Sequence, residues 1–150
     1  MKICAFFGHR DVFVSDKLSF LLRKVILSLI DEGVNEFWFG FEGNFDWLVR
    51  SVLDEIKKEY HIFLSYVCAY NPQNFSESKK KWLESRYEII FPDFLRSGLP
   101  KFAIERRNKY LARQADVIVC YLDRKKGGAY RAVRVAEKYN KKIINLADFF

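Results

Sequence analysis

The stretch from Ala115 to Lys138 constrains this chain most. It reads A-D-V-I-V-C-Y-L, then D-R-K-K-G-G, then A-Y-R-A-V-R-V-A-E-K. A β-branched apolar run, Val117 to Leu122, leads into a charged turn that closes on Gly127-Gly128. Behind the glycines, Ala129, Ala132, Val133 and Ala136 recur at helical spacing. Strand, glycine turn and helix in that order make a phosphate cradle. The glycines admit an anion close to the backbone, and the free N–H groups and positive dipole end of the helix face it. The same pair also serves to close a tight strand-to-helix turn.

The remaining sequence alternates in the same manner. Lys2 to Phe7 is apolar after its first residue, as in a strand covered on both faces, and Gly8-His9-Arg10 ends it. Ser15 is placed to cap a helix whose apolar set is Leu18, Leu21, Leu22, Val25, Ile26, Leu29 and Ile30, with Gly33 closing it. A second strand covers Glu36 to Phe41, and the turn Gly40 to Asn44 opens a helix that ends near Tyr60. A third strand covers Ile62 to Tyr70. Asn71 to Pro100 breaks the rhythm and holds all three prolines. It reads as an elaborated connection with a short helix around Lys80 to Tyr87, either packed down or lending aromatic walls to a crevice. A helix from Phe102 to Ala115 then precedes the glycine unit, and Lys142 to Leu146 is the last strand.

Such alternation predicts one α/β domain over residues 1–150. Its core is a Rossmann-like, doubly wound parallel sheet of about five strands, in three layers. Ligands of such sheets sit at the carboxyl ends of the strands, where the strand order reverses. If the strand before Gly127-Gly128 neighbours the first strand, Gly8, His9 and Arg10 border the same crevice as Gly127, Gly128 and Ala129, with Gly40, Gly43, Asn44 and Asp46 beside them. Arg10 then offers a guanidinium fork to a phosphate or carboxylate; otherwise it is a surface arginine. His9 either donates to the ligand or is a hydrogen-bonded structural histidine. Asp46 either caps its helix or accepts a ribose hydroxyl.

Composition narrows the classes. The net charge of +7 and pI of about 9.3 suit an anionic ligand, though runs such as Lys79-Lys80-Lys81 read equally as solvated surface. No apolar run reaches the roughly 18 residues that a membrane span needs, and no signal-peptide pattern opens the chain, so it reads as cytoplasmic with no membrane partner. Cys4, Cys68 and Cys120 each sit in an apolar run and read as reduced core thiols. His9 and His61 have no ligand-spaced partners, so neither a metal nor a resident cofactor is expected.

Several segments together resemble a known family. They are Phe7-Gly8-His9-Arg10, Gly40-x-x-Gly43-Asn44-Phe45-Asp46, Arg107-Asn108, Gly127-Gly128-Ala129 and the closing Ile143-Ile144-Asn145-Leu146. In this order they resemble the SLOG superfamily, which holds the Lonely Guy phosphoribohydrolases and the DNA-processing protein DprA/Smf. The resemblance implies a sheet that binds a nucleotide or nucleotide-derived ligand, of NAD, ADP-ribose or nucleoside-phosphate type, as a sensor or regulatory binder. It also implies that copies of the chain can pair. Arg107 and Asn108 enter the ligand set on this ground, with Arg107 at the position of the Lonely Guy catalytic arginine. The rest of that enzyme's motif departs: no proline precedes Gly127, Tyr130-Arg131 replaces Gly-Thr, and Arg134 stands where the glutamate would be. An arginine there cannot supply the acid–base group. Nucleotide binding is therefore the first expectation. Nucleoside-monophosphate hydrolysis is the second, and a DprA-like single-stranded nucleic-acid module the third.

Overall fold

Apolar runs become strands and amphipathic runs become helices. The computed structural model describes residues 2–150. Strands β1 (Lys2–Gly8), β2 (Val34–Phe39), β3 (Phe63–Val67), β4 (Glu88–Ile90), β5 (Val117–Tyr121) and β6 (Lys142–Asn145) pair in parallel. Helices α1 (Asp16–Asp31), α2 (Asn44–Ile56), α3 (Glu77–Glu84), α4 (Ala103–Gln114) and α5 (Gly128–Lys138) connect them. The strand order is β4-β3-β2-β1-β5-β6. The chain winds outward from β1, then returns to the other side of β1. The reversal therefore falls between β1 and β5, where Gly8 lies opposite Tyr121. This is the doubly wound, Rossmann-like α/β arrangement read from the sequence.

Strand alternation sorts the core into two layers. Cys4, Phe6, Phe37, Phe39, Leu64 and Val119 face α1 and α2, while Ala5, Phe7, Trp38, Ile118 and Cys120 face α4 and α5. Phe6, Phe37, Phe39 and Phe45 are fully buried, and each contributes about 1.5–3 kcal/mol of transfer free energy. The three cysteines are buried free thiols, and burial pushes Cys68 up to about 11 and Cys120 to about 12. Ser15 caps α1 by accepting the Leu18 N–H at 3.1 Å. No described helix is long and apolar enough to cross a membrane.

The structure corrects the sequence reading in one region. There are six strands, because Glu88–Ile90 inside the irregular connection pairs with β3 as an edge. Three residues carry no readable period, which is why periodicity passes over them. Helix α3 begins at Glu77, earlier than the expected Lys80, because Ser76 accepts the Lys79 N–H at 3.2 Å and fixes the start. Tyr87 is not helical: its hydroxyl donates to Asp54 at 3.0 Å and its ring meets Phe39 edge-on at 4.9 Å. The connection is a packed excursion at the sheet edge.

Candidate functional site

A cavity of about 670 Å³ opens at the carboxyl ends of β1, β2 and β5. Its walls are the β1 exit, the β2–α2 turn, the start of α4 and the glycine turn into α5. Gly8, His9, Arg10, Gly40, Asp46, Arg107, Asn108, Gly127, Gly128 and Ala129 all line it. Gly43 and Asn44 stand behind the wall. The Asn44 backbone N–H donates to the Arg10 carbonyl at 2.9 Å, and its amide donates to the Val12 carbonyl at 3.3 Å. They hold the β1 exit in place. No residue from 71 to 100 lines the cavity; buried Phe6 and Phe7 and the 46% exposed Phe102 are its aromatics, with Lys101 Nζ 5.1 Å from the Phe102 ring centre.

The glycines divide by what a side chain would meet. A Cβ on Gly8 would lie 2.4 Å from the Phe45 ring, and one on Gly40 would lie 2.5 Å from Glu42 Oε2. Both are spacers that let other groups approach. Gly127 sits at φ +97°, a left-handed backbone that glycine alone adopts freely, and so redirects the chain into α5. Gly128 differs: a Cβ there would meet Asn108 Nδ2 at 3.9 Å and Arg131 Nη2 at 4.0 Å, ordinary contact distances, so a methyl group fits without a clash. No side chain caps that end of α5, and the first N–H groups of a helix have no partner within it.

His9 is 6% exposed, and its Nε2 makes no hydrogen bond, standing 3.5 Å from an Asp123 carboxylate oxygen. Burial, then the Arg124 charge, pull its pKa below the ordinary value, so the ring is neutral at pH 7. Around the mouth stand Arg10, Lys101, Arg124, Lys126 and Arg131. Arg124 is engaged by Asp11 and by Asp123, and Arg131 reaches Glu105 only at 3.9 Å.

The opposite wall carries two carboxyl groups and a buried arginine. Arg107 is 3% exposed and donates from Nε to Asn108 Oδ1 at 3.0 Å, from Nη1 to the Val67 carbonyl at 2.9 Å and from Nη2 to Glu42 Oε2 at 2.9 Å. Glu42, between two glycines of the turn, is a residue the sequence reading passed over; so are Lys126 and Arg131 flanking the glycine pair. The one available signal was a lone acid inside an otherwise small, apolar turn. Asp46 accepts the Glu42 N–H at 2.8 Å from the third position of α2, so it serves the helix start by reaching back into the turn.

Burial works to raise the Glu42 carboxyl, but the charge and hydrogen bond of Arg107 outweigh it and hold Glu42 below its ordinary value. Asp46 goes the other way: burial, then the Glu42 charge, push it up to about 7. Between its ordinary 3.8 and about 7, folded Asp46 keeps a proton that the unfolded chain has lost. Stability therefore falls as pH rises through that window. Melting between about pH 5 and pH 7 should show this decline in the wild type and a flatter profile in Asp46→Asn. Equal slopes would mean that Asp46 carries no extra proton.

No family profile and no curated protein matches the chain. Solved structures do. DNA processing protein A from Streptococcus pneumoniae superposes on 95% of this chain with a TM-score of 0.68 at 16% identity, over 49% of its own length. The chain has the fold of this DNA-processing protein. A second structure, DNA processing protein A from Helicobacter pylori, described for its single-stranded DNA binding mode, matches 95% of the chain at TM-score 0.63 and 16% identity, over 63% of its length. A third, TM1055, matches 95% at TM-score 0.55 and 16% identity, over 72% of its length. The chain thus spans about half to two thirds of the DprA chains it resembles. At this identity the likeness establishes the fold alone.

Proposed function

We propose that the protein binds a nucleotide-derived ligand of NAD, ADP-ribose or nucleoside-phosphate type, as a sensor or regulatory binder, with a phosphate at the N-terminus of α5. One observation carries the reading: the uncapped N-terminus of α5 at Gly128 lies in the cavity wall, and the same lining holds buried His9, whose Nε2 makes no hydrogen bond. Arg10, Lys126 and Arg131 supply cations at the same mouth, and half-exposed Phe102 offers a face to a base. Arg107, which donates to three protein acceptors, acts on the ligand through the wall it holds.

Melting with AMP, ADP-ribose and NAD tests this. A ligand at 100 times its Kd adds about 2.7 kcal/mol, a rise of roughly 5–10 °C for a chain of this size. No rise with any of the three counts against the reading.

N-glycosidic hydrolysis is a second reading, favoured by Asp46, a cavity carboxyl that keeps its proton toward neutrality. Arg134, at the position of the Lonely Guy glutamate, is exposed and pairs with Glu137 at 3.3 Å, outside the cavity lining. Assaying the same incubations for free base separates binding from turnover. An oligonucleotide among the ligands addresses the third reading, since a bound strand would weaken steeply with salt.

A further inference from the structure

We propose that Glu42 reads the sugar of the ligand: its carboxylate accepts hydroxyl hydrogens of a ribose, so that the cavity selects ribonucleotides over their 2′-deoxy counterparts. This rests on the nucleotide reading above and adds the orientation of the ligand and the residue that sets it.

The carboxylate is built into place. The Phe41 N–H and Arg107 Nη2 both donate to Oε2, each at 2.9 Å. The Glu42 N–H is fastened to Asp46. Gly40 is bare because a Cβ there would lie 2.5 Å from Oε2 and 2.6 Å from Arg107 Nη1. A carboxylate has about four lone-pair sites; these two donors use two of them at one oxygen, and the protonated Asp46 carboxyl uses a third. The side chain is 17% exposed and lines the cavity, so accepting capacity remains toward the ligand.

Charge decides which part of the ligand comes here. Arg107 is spent on protein acceptors, and the Asp46 carboxyl crowds Glu42 from its other side. The Glu42 carboxylate itself repels phosphate and favours neutral donors. The donor-rich end of the cavity lies at Gly128, across the end of β1. A ligand with phosphate at one end and a diol at the other fits that polarity in one direction. Doubly wound folds use an acid after an early strand against a ribose hydroxyl in just this sense.

The test uses the full chain and calorimetric titration of AMP against 2′-deoxy-AMP and of ADP against 2′-deoxy-ADP. A lost hydrogen bond to a charged acceptor corresponds to a loss of roughly tenfold to a hundredfold in affinity. The wild type should prefer the ribo member of the pair by at least tenfold. Glu42→Gln should bring the two within about threefold while still binding the deoxy member, its fold checked by circular dichroism. If that variant does not fold, the wild-type comparison alone decides. Equal affinity for ribo and deoxy members, or a preference that survives in folded Glu42→Gln, overturns the assignment of Glu42 and leaves nucleotide binding standing. Binding of no member of either pair overturns nucleotide binding at this site, and the role of Glu42 with it.

Discussion

Arg107→Met is expected to cost about 3–5 kcal/mol of folding stability, the range for breaking a buried ion pair from one side. The arginine joins three separate pieces of the chain. Its own helix α4 is tied to the end of β3 through the Val67 carbonyl and to the β2–α2 turn through Glu42. Removing it strands a buried carbonyl, a desolvated carboxylate and the Asn108 amide oxygen at once. A domain of this size has about 5–15 kcal/mol in total, so the loss should be plain in a urea midpoint. Arg107→Lys keeps the charge without the planar fork and should recover only part of it. Arg107→Met with Glu42→Gln should be milder than Arg107→Met alone, because the stranded charge has gone. A loss below about 1 kcal/mol in the single variant would mean that the guanidinium merely fills space.

Gly8→Ala and Gly128→Ala are expected to fail in opposite ways. At Gly8 the added carbon meets the fully buried Phe45 ring at 2.4 Å. Neither the strand nor the ring can retreat, so the cost is that of core overpacking, about 1–3 kcal/mol or more. At Gly128 the carbon meets only ordinary contacts with Asn108 and Arg131, in a helix that prefers alanine by up to about 1 kcal/mol. The unliganded Gly128→Ala protein should therefore melt at or slightly above the wild-type temperature. Its methyl group would occupy the place proposed for the phosphate, so stabilisation by nucleotides should be lost. Thermal melts with and without AMP read both effects. A Gly128→Ala protein that still responds fully to nucleotide would remove the proposed phosphate position.

These two glycines also mark how far the sequence could be read. Gly8 ends β1 and Gly128 begins α5, yet as letters they look alike. Which one presses on a ring and which has room for a methyl group depends on how the helices pack around the sheet, and no local pattern carries that. The strand–helix alternation and the meeting of β1 with β5 were legible, because apolar period and handed crossovers are local or nearly so. Strand β4 was not, since three residues held by pairing with β3 leave no period. Glu42 was passed over for a related reason: its partner Arg107 lies 65 positions away, and only the folded turn brings them together.

The strand order has a consequence for how the cavity comes into being. The carboxylates on one wall belong to the first third of the chain, and the bare helix end on the other belongs to its last fifth. β1 is the seam where they meet. Neither portion possesses half a recognition surface worth having, so a bound molecule would act as a rivet through that seam. It would resist whole-molecule opening more than fraying at either edge of the sheet.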